Sequence, residues 1–114
     1  MKDSKQIKEE LEELMESLDK LVPDWAEAKA NREKMDELKK VTLATIASHL
    51  EGGSEAERTR KSLTSKRYLE YVETSANASL EFYKLDGKKT LAEKKIEVLR
   101  SLLSHDKSMV QNLT

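Results

Sequence analysis

The sequence predicts an all-α fold: an antiparallel helical hairpin or coiled coil with a long C-terminal helix and an N-terminal amphipathic helix, assembled as an oligomer. Three observations predict it. Apolar residues recur at spacings of three and four, the period that places side chains on one helical face. Helix formers dominate, with one proline and three glycines to interrupt them. No alternating apolar pattern bounded by turn residues marks a strand. With 37% hydrophobic and 38% charged residues, the chain can line two or three helices but cannot fill a multilayer core. Its 114 residues fit one domain.

The first helix is expected over residues 1–22, with Ser4 as its N-cap. Ile7, Leu11, Leu14, Leu18 and Leu21 follow a four-three-four-three spacing, a coiled-coil seam flanked by Glu9, Glu10, Glu12, Glu13 and Glu16. So narrow a stripe needs a partner helix, either from the same chain or, as the preferred reading, from a second subunit. These five residues are therefore the candidate oligomerisation surface.

Pro23 is expected to end or bend this helix, since it lacks an N–H and its ring disturbs the preceding turn. A second helix over 23–50 continues the seam in phase through Trp25, Ala28, Met35, Thr42 and Ile46, which argues for a bend and not a reversal. Arg32 and Lys39 also fall on the seam, and Leu38, Val41, Leu43 and Leu50 are expected to broaden the contact. Trp25 reads first as a core anchor and second as a partner anchor.

Glu51-Gly52-Gly53 is a helix stop, and Ser54-Glu55-Ala56-Glu57 is a capping box that opens a short helix from Glu55 to Leu63. The chain reverses across this basic connector, residues 51–65. Thr64 or Ser65 then caps a long helix over 66–104. Leu69, Val72, Ala76, Leu80 and Tyr83 are read as its apolar face, joined by Leu85, Ala92, Ile96, Leu99 and Leu103. A helix of about 40 residues would run roughly 60 Å. Asp86-Gly87 and the capping-box pattern Thr90-Leu91-Ala92-Glu93 could split it. The steady phase of Leu80, Tyr83, Gly87, Leu91, Val98 and Leu102 favours continuity. Residues 105–114 read as a frayed tail in which Met109, Val110 and Leu113 could dock.

Function is read from charge. Residues 1–24 carry four basic and eight acidic side chains, 25–57 five and seven, and 58–114 twelve and seven, so a net charge of -1 conceals an acidic front and a basic back. The densest basic run is Arg58, Arg60, Lys61, Lys66 and Arg67, with no acid among them. It ends in the first turn of the long helix, whose free N–H groups favour anions. Tyr68 and Tyr71 beside it could stack on a base. Phosphate contact and a solvated basic turn are the two readings of this run. Lys88, Lys89, Lys94, Lys95 and Arg100 are diluted by Glu93 and Glu97 and read as an exposed face.

Cysteine is absent, which excludes disulfides, thiolate metal sites and cysteine nucleophiles. His49 and His105 match no metal spacing, no glycine-rich phosphate loop or nucleophile elbow is present, and no apolar run approaches a membrane span. The expectation is a cytoplasmic non-enzyme without cofactor, metal, membrane or small-molecule substrate.

The order of parts resembles a known family. A long charged helix ending near Ala44-Thr45-Ile46, a Gly/Ser break, a basic Arg/Lys-Ser-Lys connector and a last helix with Lys95-Ile96-Glu97-Val98-Leu99 are similar to small phage recombination accessory proteins of the UvsY-like mediator type. The similarity spans roughly residues 25–104. It implies an oligomeric helical protein of the host-cell cytoplasm that binds single-stranded DNA and serves a recombinase or other replication protein. Its basic DNA contacts carry over to Arg58, Arg60, Lys61, Lys66 and Arg67. Ser104 to Thr114 departs from the type, with one lysine and no aromatic residue. The alternative is a protein-interaction module, a small helical inhibitor or scaffold that docks through its acidic first helix without nucleic acid.

Overall fold

A computed structural model describes residues 2–113, with side chains through His105. Among them are three helices and no strand: α1 (Ser4–Ser48), α2 (Glu55–Leu63) and α3 (Lys66–Leu113). The long α1 packs against the long α3 as a helical hairpin.

The start of α1 is set by Asp3 and not by Ser4. The Gln6 amide donates to Asp3 Oδ1 at 2.8 Å while the Asp3 amide donates to Gln6 Oε1 at 3.0 Å, a reciprocal capping box. The helix then runs through Pro23 without a break, so the expected division into 1–22 and 23–50 is replaced by one element. Proline removes the bond to the carbonyl of Asp19, four residues earlier. Both residues are exposed, so water can satisfy that carbonyl.

The hairpin is divided into two compact units. One joins α1 through Ala26 to α3 from Lys84 onward; the other comprises Glu27–Tyr83. In the first, Ile7, Leu11, Ile96 and Leu99 form a buried cluster, with Leu14, Leu18 and Leu103 packed against it. Leu21 is half-buried. Four of the five residues expected to join subunits, Ile7, Leu11, Leu14 and Leu18, thus pack with α3 of their own chain. The reason is pattern: Leu85, Lys89, Ala92, Ile96, Leu99 and Leu103 repeat at the same alternating three-four spacing, which supplies a matching seam. Trp25 donates from Nε1 to Asp86 Oδ1 at 2.9 Å, and Lys89 lies 4.6 Å over the Trp25 ring while pairing with Glu93. Lys89 is therefore part of the packing, not of an exposed basic face.

In the second unit, Ala28, Ile46 and Phe82 are buried, and the Tyr71 hydroxyl donates to the Met35 carbonyl. Arg32 sits on the seam by placing its guanidinium 5.2 Å over Phe82 and 4.8 Å over Tyr83. The α3 face turned inward here carries Tyr68, Tyr71, Ser75, Ala78, Ser79 and Phe82. The face expected to be buried is instead exposed: Leu69 by 58%, Val72 by 43%, Leu80 by 54% and Tyr83 by 55%. Val41, expected to broaden the contact, is exposed as well.

Helix α3 is continuous through Asp86-Gly87, as the steady apolar phase favoured, although the residues that carried that argument lie on the exposed side. It also passes Ser104 and continues to Leu113, where a frayed tail was expected. The side chains of Met109, Val110 and Leu113 lie outside the described residues.

Candidate nucleic-acid interface

The five candidate cations straddle the turn from α2 into α3. Two glycines begin the turn. Gly52 and Gly53 have φ of 73° and 76°, in the left-handed region that other residues adopt only with strain. At Gly53 an added Cβ would also come within 2.7 Å of Glu57 Oε2. Ser54 then caps α2 by accepting from the Glu57 amide at 3.2 Å, as its capping-box pattern predicts.

Helix α2 lies beside the C-terminal end of α1, with a cleft of about 220 Å³ lined by Leu43, Ala44, Ala47, Glu55, Arg58, Thr59 and Ser62. Ser62 is buried, and its hydroxyl donates to the Arg58 carbonyl at 2.8 Å. Ser65, not Thr64, caps α3. Its hydroxyl donates to the Ser62 carbonyl at 2.7 Å and accepts from the Tyr68 amide at 3.2 Å. One serine thus ties the end of α2 to the start of α3 and fixes the turn between them.

This framework treats the cations unequally. Arg58 is half-buried, and its Nη1 donates to the Gly53 carbonyl at 2.9 Å and reaches toward that of Gly52. It closes the turn. Arg60 and Lys61 occupy the last turn of α2, where positive charge also complements the helix dipole. Lys66 and Arg67 open α3. These four are exposed, and none forms an ion pair or side-chain hydrogen bond among the described residues.

The neighbouring tyrosines are less available than their position in the sequence suggests. Tyr68 and Tyr71 stack on one another with centroids 5.8 Å apart, and the Tyr71 hydroxyl is committed to α1. Each ring therefore gives part of its surface to the other. Sequence reasoning missed the turn-closing role of Arg58. The adjacent Gly52-Gly53 pair was its signal, since two left-handed residues leave carbonyls without helical donors.

Among the described residues there is no group of His, Asp or Glu able to hold a metal ion, and no helix is long and apolar enough to cross a membrane. Comparison with protein-family models, with curated proteins and with solved structures finds no match.

Proposed function

We propose that this chain is a nucleic-acid-binding accessory protein that holds single-stranded DNA against the α2–α3 turn, in phage recombination or replication. The observation that carries the reading is the set Arg60, Lys61, Lys66 and Arg67: four exposed cations within eight residues, with no acid among them. Guanidinium and ammonium groups on a turn whose backbone is tied down by Ser65 offer phosphate oxygens charge-assisted donors. The resemblance to mediator proteins points the same way and adds a recombinase or other replication protein as partner. Arg58 supports the turn and is not assigned to contact.

Titration of a labelled single strand at two salt concentrations tests the reading. Four phosphate contacts give a slope of about -2.8 in log K against log salt, so binding should weaken roughly fifty-fold between about 50 mM and 200 mM salt. Lys61→Glu combined with Lys66→Glu should lower affinity at least tenfold while helicity by circular dichroism is unchanged, since both side chains are exposed. Folded protein that binds no strand at about 50 mM salt overturns the proposal.

The alternative is a protein-interaction module that docks through its acidic first helix without nucleic acid: Ile7 and Leu11 pack against α3, while Glu9, Glu12, Glu13 and Glu16 remain exposed.

A further inference from the structure

Within the Glu27–Tyr83 unit, a cavity of about 330 Å³ lies between α1 and α3, beginning at the first turn of α3. Tyr68 and Tyr71 line it together. Its polar side chains are Asp36 and Lys39 from α1 and Ser75 and Ser79 from α3.

We infer that this cavity takes one nucleobase of the strand whose phosphates lie on Arg60, Lys61, Lys66 and Arg67. Such a subsite rests on the single-strand reading above, and it adds a base contact to the phosphate contacts.

The rings favour a planar occupant. Tyr68 and Tyr71 stack with centroids 5.8 Å apart and planes 26° from parallel, so two aromatic surfaces share one orientation at the cavity. A base can extend such a stack whatever its identity, because every base has a π-face. The Tyr71 hydroxyl donates to the Met35 carbonyl, which holds that ring against α1. The Tyr68 amide donates to the Ser65 hydroxyl, so the serine that ties down the basic turn also anchors the backbone of the second ring.

The edge of the cavity favours a heterocycle over a plain aromatic group. Asp36, Lys39, Ser75 and Ser79 form no ion pair or side-chain hydrogen bond among the described residues. For the serines this departs from the pattern elsewhere in the chain: Thr45, Thr59, Ser62 and Thr74 each donate to the carbonyl four residues earlier. Ser75 and Ser79 are half-buried and keep both hydroxyls uncommitted. A carboxylate, an ammonium group and two hydroxyls together offer acceptors and donors, which the edge of a base requires.

Charge separates a base from a phosphate. Asp36 and Lys39 cancel, so an anion gains nothing in the cavity and meets a carboxylate there. The four exposed cations stand outside it, on the turn. Phosphates are thereby directed to the turn and a base to the tyrosines. Size agrees, since the volume sits at the low end of the roughly 300–1,000 Å³ of small-molecule clefts and suits one base and not a stacked run.

Anisotropy titration at about 50 mM salt can compare a labelled strand of about 12 nucleotides with an abasic strand of equal length. The full chain should bind the base-bearing strand at least about fivefold more tightly. Tyr68→Ala should bring the two strands to equal affinity, while Tyr68→Phe should keep the preference, since the ring and not the hydroxyl stacks. In both variants, binding of the abasic strand and its slope against salt should stay unchanged. A strand carrying iodouracil should crosslink on irradiation to Tyr68 or Tyr71. Equal affinity of the full chain for the two strands overturns the inference and leaves phosphate binding at the turn in place. Absence of binding to either strand overturns both. A preference that survives Tyr68→Ala, or crosslinks confined to other residues, would put the base elsewhere and overturn the subsite.

Discussion

Neighbouring residues on α3 show what decides burial. Phe82 is buried beneath the Arg32 guanidinium, while Leu80, two positions away and also large and apolar, is more than half exposed. Phe82→Ala should therefore cost about 3 kcal/mol or more in urea unfolding, and Leu80→Ala less than about 0.5 kcal/mol. Equal costs would show that the outward line is covered in the monomer. This distinction was not legible in the sequence. Leu69, Val72, Leu80 and Tyr83 form the more apolar line, so hydrophobic periodicity selects it. The inward line includes Ser75 and Ser79, and it is set by geometry: these positions share a helical face with Tyr71 and Phe82, which contact α1 within the same unit. The five candidate cations were chosen from composition and spacing alone. The separation of Arg58 from the rest needed the positions of the Gly52 and Gly53 carbonyls.

At the scale of the element, Pro23 carries the main lesson. Its ring and missing N–H predict a boundary, yet the seam residues on either side, Leu21 and Trp25, keep one phase and α1 runs through. Packing of that seam outweighs a local preference worth about 3 kcal/mol per interior proline. The preference persists as an unmet cost. Pro23→Ala would restore an amide donor for the Asp19 carbonyl and should stabilise the protein by about 1 to 3 kcal/mol, with the melting temperature raised accordingly. A destabilised variant would mean that the proline ring itself makes a needed contact. The other ends of the helices were more legible. Ser54 and the glycine pair behave as their types predict, because capping depends on residues within one turn of each other. The start of α1 shows the limit of this: Asp3-Gln6 is a capping pair as sound as any that Ser4 could form.

At the scale of the molecule, an all-α hairpin was legible because two long stretches share a seam period and a glycine turn separates them. The choice between a same-chain and a second-chain partner was not, since a heptad line looks alike in both. The contacts differ in another respect, the length of chain between their members. In the Glu27–Tyr83 unit, Tyr71 bonds to Met35 across 36 residues; in the other, Trp25 bonds to Asp86 across 61, and Ile7 and Leu11 meet Ile96 and Leu99 over still longer separations. Shorter loops close first. Pulse-labelled hydrogen exchange during refolding should find amides of 27–83 protected before those of 4–25, and simultaneous protection would argue for a single nucleus. Synthesis sharpens the same order. At about 5–20 residues per second, roughly 4 to 18 s separate the appearance of Ile7 from that of Ile96. For that interval the nascent line from Ile7 to Leu21 has no helix of its own chain to cover it. The seam that closes the first unit in the finished chain is thus the stretch that waits longest for its cover while the chain is being made.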